Sequence, residues 1–448
     1  MTVFAFIICI VVIALTAVLL FKKYNPQGIL LLSGMLMVAL SLILGTADLE
    51  VSKPTGSAFF DIFRYVEEKF LSNFGKAGLM IMVIGGYVTF MNKIKATDML
   101  VHISIKPLSV FKKHPYLAAV LAIPIGQLLF IATPSAAGVG LLLVATLYPI
   151  LVNLGVSKLT ALSVISAATL FDQGPSSANT TAAAGLIGIT PTEYFLHYQL
   201  PCVIPTVLIL MVVMFFHSRR CDRRDVAAGK DIYAEKLDEA ERPDAPVFYA
   251  LLPLLPIIVL LSFPKVSTTV AMLVSLVAAL ACEAVRKRNL LEVTGLFGTF
   301  WQGMGSVFAS VVTLIICAEV FSGGLVCLGF VDSLVAGTTG IGLGGTAISI
   351  VITAIVFLAA MLMGSGNAAF FSFGPLLPDI SAKLGVSSAE MILPAQMAAG
   401  MGRAASPIAG VIVAICGVAG VSPLELAKRN TPPLAIGIAC LTAIHFFL

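Results

Sequence analysis

Residues 361–410 read MLMGSGNAAFFSFGPLLPDISAKLGVSSAEMILPAQMAAGMGRAASPIAG, and this stretch decides the fold. Its polar points are Gly364-Ser365-Gly366-Asn367 near the start and Gly402-Arg403-Ala404-Ala405-Ser406-Pro407 near the end. The 46 residues between Asp332 and Asp379 carry no charge, whereas one membrane crossing needs only about 20 residues. We therefore predict two membrane-embedded helices joined by a polar kink at residues 365–367.

Arg403 is the single charged residue between Glu390 and Glu425. Most of its neighbours are apolar, and an arginine inside a membrane is costly unless it faces a cavity, a counter-ion or an anionic ligand. Arg403 is therefore a candidate for anion binding. The alternative is a structural salt bridge, for which Asp172 is the candidate partner.

The pattern of residues 361–410 occurs once more, earlier in the chain. The 44 residues between Lys113 and Lys158 also lack Asp, Glu, Lys and Arg, and their polar break reads Thr133-Pro134-Ser135. Two short motifs recur with the pattern: Leu154-Gly155-Val156-Ser157 as Leu384-Gly385-Val386-Ser387, and Gly188-Ile189-Thr190-Pro191 as Gly420-Val421-Ser422-Pro423. The constant offset of 230 to 232 residues indicates an internal duplication.

The composition is that of an integral membrane protein. Hydrophobic residues make up 59% of the sequence and charged residues 11%, whereas a soluble domain carries about 25% charged residues. Long continuous apolar runs indicate helices, whose backbone groups bond internally in lipid, rather than the alternating strands of a barrel. We predict an all-α polytopic membrane protein. No basic patch indicates a nucleic-acid partner, and the eight cysteines include no CxxC pair, so no metal site is expected.

Basic clusters set the predicted orientation, because cytoplasmic loops carry an excess of Lys and Arg. Fifteen charged residues lie from Arg219 to Asp244, which predicts a cytoplasmic linker over residues 218–245. Lys22-Lys23 and Arg286-Lys287-Arg288 follow apolar stretches and indicate two further cytoplasmic ends. The N-terminus and the C-terminus are therefore predicted to lie outside, on the periplasmic side, and the two halves have opposite orientations.

The duplication and the charge flanks together predict two inverted-topology repeats, residues 1–217 and residues 246–448. Each repeat has about five transmembrane helices, a re-entrant hairpin and a broken helix. The hairpins and broken helices are predicted, in chain order, at residues 114–157, 158–188, 333–378 and 389–419. This gives about ten crossings and two hairpins. The alternative is that each long uncharged run forms two full spans.

Inverted repeats with interrupted helices are typical of secondary transporters, whose binding sites lie where the broken helices meet. The N-termini of half-helices suit a carboxylate, and hydroxyl and carbonyl oxygens suit Na+. A single Ser or Thr can instead bond back to its own helix, but a polar set that recurs at one repeat spacing favours a binding site. The candidate substrate-binding residues are Ser135, Ser176, Ser177, Asn179, Ser365, Gly366, Asn367, Arg403 and Ser406.

Five further residues are candidates for coupling transport to an ion: Thr133, Asp172, Gln173, Thr180 and Glu319. Glu319 is an ionisable group within an apolar span and could relay protons, or it could reach the membrane surface by snorkelling. No cofactor is predicted beyond Na+ or H+ as the coupling ion. The sequence contains no HExxH, Walker A or GxSxG motif, which argues against a membrane-embedded enzyme.

Three stretches of the second half carry a resemblance to a known family. They are Gly364-Ser365-Gly366-Asn367-Ala368, Gly402-Arg403-Ala404-Ala405-Ser406-Pro407, and Val421-Ser422-Pro423 leading into Lys428-Arg429. In these stretches the chain resembles the DcuC family of anaerobic C4-dicarboxylate carriers, within the ion transporter superfamily. The resemblance implies a carrier of the bacterial inner membrane for succinate, fumarate or malate. It also implies a homodimer in which a transport part moves as an elevator against a scaffold part.

The function predicted from these features is secondary active transport of C4-dicarboxylates, coupled to H+ or Na+ or working by exchange. The alternatives are a carrier on the same scaffold for another carboxylate, such as an amino acid, and a channel. The expected partners are the dicarboxylate, the lipid bilayer and a second copy of the chain, with no nucleic acid.

Overall fold

The computed structural model describes residues 2–22, 24–46, 49, 51–111, 114–234, 237–238, 241–263, 265–340 and 344–447. Lys23 and Lys113, which flank predicted helices, lie outside these residues. The described residues form helices and connecting segments, and no strand occurs among them. The prediction of an all-α protein is therefore confirmed.

Eleven helices lie in the described part of the first half. Several begin with ordinary capping chemistry: the side chains of Asn25, Ser157 and Thr190 each accept a hydrogen bond from the first turn of the following helix. The helices are α1 (Thr2–Phe21), α2 (Pro26–Leu44), α3 (Ala58–Asn73), α4 (Leu79–Lys93), α5 (Ala96–Ile105), α6 (Pro115–Ala132), α7 (Ala136–Asn153), α8 (Lys158–Ala167), α9 (Ala178–Ile187), α10 (Pro191–Tyr194) and α11 (Leu200–Ala227).

Twelve helices lie in the described part of the second half. They are α12 (Leu255–Ser262), α13 (Thr268–Lys287), α14 (Leu290–Gly295), α15 (Phe297–Val307), α16 (Thr313–Cys327), α17 (Phe330–Gly340), α18 (Gly345–Met363), α19 (Gly366–Phe373), α20 (Leu377–Leu384), α21 (Ser388–Ala404), α22 (Gly410–Ala419) and α23 (Pro423–Phe447). A single π-helical turn at Phe74–Gly78 joins α3 to α4, and another at Phe308–Val312 joins α15 to α16. The helical backbone continues through both turns.

Eight helical segments of the described chain are long and apolar enough to cross a membrane. The number becomes nine if Leu79–Lys93 and Ala96–Leu108, which are bent by 72°, count as one span. The prediction of a polytopic membrane protein is therefore confirmed. The first hairpin has two arms of 18 residues, α6 and α7, so by length each arm could also be a full span. The second pairs α18, of 19 residues, with α19, of 8 residues.

The order of elements in the first half recurs in the second. The short helices α9 and α22 have 10 residues each, and both end at a glycine in the left-handed region, Gly188 (φ 83°) and Gly420 (φ 64°). Ser157 and Ser387, from the repeated Leu-Gly-Val-Ser motif, cap α8 and α21 through their side chains. The internal duplication therefore extends from sequence to local structure, while the inverted relation of the two halves remains a prediction.

The helices pack as two groups. In the first, which we call the scaffold group (α1–α5 and α12–α17), α2 packs on α16 and α4 packs on α15. In the second, which we call the hairpin group (α6–α11 and α18–α23), α6 and α7 pack on α8, α18 packs on α21 and α11 packs on α23. The groups meet where α16 contacts α19 and where α5 contacts α6 and α7. Further contacts join α17 to α20, α4 to α9 and α1 to α18.

The predicted linker over residues 218–245 begins later than expected. α11 continues to Ala227, and Asp222 on this helix is buried. Its burial is tolerated because the carboxylate is fully partnered. Its partners are Arg429 of α23, Ser157 Oγ at 2.8 Å, Thr160 Oγ1 at 2.9 Å and Tyr116 OH at 2.9 Å. Charge counting cannot separate this aspartate from its solvated neighbours, since its partners are distant in sequence.

Beyond Ala227 the linker contacts both helix groups. Asn153, at the end of α7, exchanges two hydrogen bonds with the backbone of Leu237, at 2.8 and 3.0 Å. Further along, the carbonyl oxygen of Asp244 accepts a hydrogen bond from Arg286 Nη2 of α13 at 2.9 Å. Ile232 O of the linker also accepts a hydrogen bond from Lys158 N of α8 at 3.0 Å. The linker is therefore attached both to the hairpin group and, at Asp244, to the scaffold group.

The second predicted hairpin, residues 333–378, is too long. Its first part belongs to α17, which continues to Gly340, and α20 begins before its end, at Leu377. The hairpin itself therefore consists of α18 and α19. The uncharged run exceeds the hairpin because α17 carries its only charge, Asp332, in its first turn, so charge spacing does not mark where this helix stops.

Candidate functional site

Both hairpin tips and both helix breaks contribute to one cavity of about 280 Å³. The first tip lies between α6 and α7, and the second lies between α18 and α19. The residues that line the cavity are Phe130, Pro134, Ser135, Ala136, Asp172, Ser365, Gly366, Asn367 and Arg403. Six of these nine are residues that the sequence predicts to bind substrate or an ion.

The two tips present helix N-termini to the cavity. Ser135 caps α7 by accepting a hydrogen bond from Gly138 N at 3.3 Å, and Ser365 caps α19 by accepting one from Ala368 N at 3.1 Å. The remaining amides of a first helical turn have no partner within the helix and carry partial positive charge. Two such ends in one cavity are suited to an anionic ligand.

Arg403 supplies the positive side chain of the cavity. It lies in the last turn of α21 and is only 9% exposed. Its Nη2 donates to the carbonyl oxygen of Thr169, while its Nε has no hydrogen-bond partner among the described residues. No ion pair within 4.0 Å joins it to Asp172 in the described chain. The described residues therefore use only part of the hydrogen-bonding capacity of this guanidinium, which lines the cavity.

Asp172 is held in place by residues of the first break. Its backbone has a positive φ of 44°, which a non-glycine residue adopts only where the surroundings support it. Ser177 Oγ donates to Oδ1 at 2.9 Å and Asn179 Nδ2 donates to Oδ2 at 2.7 Å. Asn179 Nδ2 also donates to Asn367 Oδ1 at 3.1 Å, so this amide connects the first break to the second tip.

Two glutamines behind the cavity are functional candidates that the sequence analysis missed. Gln199 Oε1 accepts from Gly174 N at 3.1 Å, and Gln396 Nε2 donates to the carbonyl oxygen of Asp172 at 3.4 Å. Gln199 Nε2 also donates to Gln396 Oε1 at 3.3 Å. They support the first break from two different helices. Each is the sole side-chain amide of an apolar helical stretch, and that isolation is the signal that could have identified it.

Close packing of α21 against the first break and against α18 positions Arg403 relative to Asp172. A Cβ on Gly400 would lie 1.9 Å from the carbonyl oxygen of Leu170, and one on Gly402 would lie 2.2 Å from that of Phe357. Only glycine permits both approaches, since the atoms in the way belong to the backbone and have no alternative rotamer.

Gly400→Ala is therefore expected to destabilise the protein by about 1–3 kcal/mol, the usual cost of overpacking, and to displace the segment that carries Asp172. The measurement is the temperature at which monodisperse protein is lost in detergent. Gly417→Ala on α22 is the matched control, because nothing lies within 4 Å of the added methyl group. Equal thermal stability of the two variants would contradict the packing argument.

Besides Glu319, seven predicted residues do not line the cavity. Ser177, Asn179 and Thr180 lie behind Asp172: the first two bond its carboxylate, and Thr180 Oγ1 contacts its carbonyl oxygen at 3.4 Å. Thr133 Oγ1 donates to its own helix, at Leu129 O, 2.8 Å away. The others, Gln173, Ser176 and Ser406, are buried outside the lining.

Glu319 lies in a different place from the other ion-coupling candidates. It lines a separate cavity of about 540 Å³ between α3, α16 and α20, together with Tyr65, Lys69 and Asp379. The structure therefore does not bring Glu319 together with Asp172. In the part of the chain that the structure describes, no group of three or more His, Cys, Asp or Glu residues could hold a metal ion.

Two solved structures share the fold. The YdaH transporter of Alcanivorax borkumensis aligns with a TM-score of 0.55 and 16% identity, over 95% of this chain and 98% of that chain. MtrF of Neisseria gonorrhoeae, described as illuminating a class of antimetabolite efflux pumps, aligns with a TM-score of 0.56 and 11% identity, over 94% of each chain. At these identities the likeness concerns the fold alone.

Sequence relatives cover almost the whole chain. The anaerobic C4-dicarboxylate transporter DcuC of Escherichia coli K12 is 33% identical over 439 residues, 96% of this chain and 94% of that protein. The probable DcuC of Vibrio cholerae is 32% identical over 427 residues, 93% of this chain and 92% of that protein. The model of the DcuC family, described as C4-dicarboxylate anaerobic carrier, matches residues 4–447. The chain therefore belongs to the DcuC family, and it is a multi-pass membrane transporter rather than an enzyme.

Proposed function

We propose that this protein is a secondary active transporter of C4-dicarboxylates, such as succinate, fumarate and malate, in the bacterial inner membrane. The observation that carries the proposal is the single small cavity in which Arg403 and the two helix N-termini meet. A dicarboxylate brought into the membrane must exchange its hydration for protein donors at both ends, because an unpaired buried carboxylate is costly. The cavity offers donors from several directions.

The two carboxylates have different partners in this proposal. Arg403 offers a planar fork that matches one carboxylate, and Asn367 and the first turn of α19 line the same cavity. The other carboxylate binds at the first tip, where Ser135 and the N-terminus of α7 face the cavity. This division follows the duplication, since each repeat contributes one tip.

Alternating access by an elevator movement fits the grouping of the helices. All nine residues that line the cavity belong to the hairpin group, so this group could carry the substrate without disassembling the site. The scaffold group would remain in place, as part of a homodimer. In this proposal both termini are periplasmic, the linker is cytoplasmic, and transport is coupled to H+ or Na+ or proceeds by exchange.

The test is uptake by proteoliposomes that contain the purified full-length protein, with a panel of dicarboxylates and amino acids and with imposed Na+ and H+ gradients. We expect saturable succinate uptake and counterflow, in which internal unlabelled succinate accelerates entry of labelled succinate. Non-saturable flux without counterflow would indicate a channel and overturn the proposal.

A carrier for an aminated substrate is the second candidate, and Asp172 favours it. A carboxylate in the same cavity as Arg403 could pair with the ammonium group of an amino acid. The same panel decides between the two, because aspartate would then be taken up in preference to succinate.

Ser365→Ala and Asn367→Ala are expected to weaken substrate binding more than folding. Hydrogen bonds to charged groups are worth about 1.5–3 kcal/mol, which corresponds to roughly 10- to 100-fold in affinity. Asn367→Ala is the cleaner variant, since Ser365→Ala also removes the cap of α19. The measurement is the concentration dependence of uptake.

Ser310→Ala is the matched control for these variants, because this exposed hydroxyl only bonds back to Ser306 O at 2.7 Å. Kinetics equal to wild type in both tip variants would exclude a binding role for the second tip.

A further inference from the structure

Asp172 and Arg403 are the two charged residues among the nine that line the cavity. The cavity is therefore neutral overall before a substrate enters. Among the described residues, the elements bonded around Asp172 present no second cation: α9 presents Asn179 and Thr180, α19 presents Asn367, and Gln199 and Gln396 lie behind. Tyr194 is connected to these residues through its hydroxyl, which donates to Gln396 Oε1 at 2.9 Å.

A C4-dicarboxylate dianion would bring two negative charges into this neutral cavity. Arg403 can compensate one of them. The second would share the cavity with the Asp172 carboxylate, and two carboxylates that share a buried site do not both stay ionised. A proton on Asp172 relieves this repulsion without displacing any residue.

The hydrogen bonds of Asp172 leave room for that proton. Oδ1 accepts one hydrogen bond from Ser177 and Oδ2 accepts one from Asn179, whereas a carboxylate has about four acceptor positions. At least one lone pair can therefore take a proton. The O–H group that results can donate a hydrogen bond to the bound substrate or to Asn367 Oδ1.

We propose that Asp172 takes up one proton from the open side of the membrane whenever a C4-dicarboxylate dianion binds, and releases it with the substrate on the other side. Asp172 is then the residue that couples substrate to protons. The proposal rests on the proposed function above, whose substrate it takes as given. No bond other than that to the proton is made or broken.

The number of protons taken up per succinate bound tests the proposal. It is obtained by calorimetry on the purified full-length protein in two buffers of different ionisation enthalpy, at a pH where free succinate is fully dianionic. We expect about one proton for the wild type and none for Asp172→Asn. One linked proton also makes the wild-type Kd rise about tenfold per pH unit, whereas the Kd of the variant stays constant.

Glu319→Gln is the matched comparison, since it removes the other carboxylate predicted to couple ions but lies in a different cavity. It is expected to keep the wild-type proton uptake. Asp172→Glu retains a titratable carboxylate and is expected to keep the proton uptake as well. It is the variant to measure if Asp172→Asn does not fold.

Three results would overturn the proposal. They are a wild-type protein that binds succinate without proton uptake, an Asp172→Asn protein that still takes up a proton, and loss of uptake in Glu319→Gln instead. Failure of the wild type to bind any C4-dicarboxylate is a distinct result, because it overturns the proposed function and the coupling proposal with it.

Discussion

Arg403→Ala is expected to abolish dicarboxylate uptake while leaving a protein that inserts and folds. The guanidinium is the one cationic side chain in the cavity lining. Its loss would leave a substrate carboxylate buried without its partner, and breaking such a buried charge pair costs about 3–5 kcal/mol. That corresponds to a loss of more than about a hundredfold in affinity. Folding should survive, because Asp172 keeps its hydrogen bonds to Ser177 and Asn179.

Arg403→Lys separates charge from shape. Lysine keeps the positive charge but loses the planar fork that matches a carboxylate, so weak binding and slow uptake are expected. The measurement is succinate uptake in proteoliposomes, with size-exclusion profiles to show that each variant is folded. Arg220→Ala, on the exposed side of α11, is the control for loss of an arginine and should transport normally.

A charge swap distinguishes substrate binding from a structural salt bridge. If Arg403 served only to pair with Asp172, the double variant Asp172→Arg/Arg403→Asp would re-form the pair and regain transport. We expect it to stay inactive, since Arg403 bonds Thr169 and Asp172 bonds Ser177 and Asn179. Recovery in the swap, or near-normal uptake by Arg403→Ala, would remove Arg403 from the binding site.

Arg429→Ala is expected to destabilise the protein by about 3–5 kcal/mol, the usual cost of leaving one member of a buried ion pair alone. The side chains of Arg429 and Asp222 are 4% and 2% exposed, so water cannot replace the lost partner. The measurement is thermal unfolding in detergent. This variant should lose stability without a specific change in substrate affinity of the protein that remains folded.

Two further variants test whether burial of the ion pair causes the loss of stability in Arg429→Ala. Asp222→Asn/Arg429→Met removes both charges. The asparagine oxygen can still accept from two of the hydroxyls of Ser157, Thr160 and Tyr116, and its NH2 group can donate to the third, so most of the stability should return. Lys230→Ala breaks an ion pair with Asp225 whose lysine is 57% exposed, and such surface pairs contribute only about 0–1 kcal/mol. A loss of stability for Lys230→Ala equal to that for Arg429→Ala would contradict the role of burial.

Much of the cavity could be predicted from sequence, because a membrane makes polar residues conspicuous. Ser135, Asp172, Ser365, Asn367 and Arg403 interrupt long apolar runs, and the duplication relates the tip and the break of one half to those of the other. Charge spacing and repeat offset therefore identify residues that lie together in the structure although they are more than 200 positions apart.

What the sequence could not provide is which polar groups face each other. Thr133 looks like Ser135 in sequence, yet it bonds to its own helix and does not line the cavity. Asp222 lies among basic residues in the sequence, which predicts a solvent-exposed side chain, but it is buried and forms an ion pair with Arg429. Glu319 sits in an apolar run like Asp172 but belongs to another cavity. The partner of Asp222 comes from a distant helix, and in all three cases helix packing decides which surroundings the side chain meets.

The attachment of the linker to both helix groups limits how far they can separate. The linker is hydrogen-bonded to the end of α7 through Leu237 and to α13 through Asp244. Seven peptide units lie between these points and can extend over at most roughly 25 Å. In the proposed elevator movement, as long as both attachments hold, this strap would act as a mechanical stop on the travel of the hairpin group, and its length would set the longest stroke.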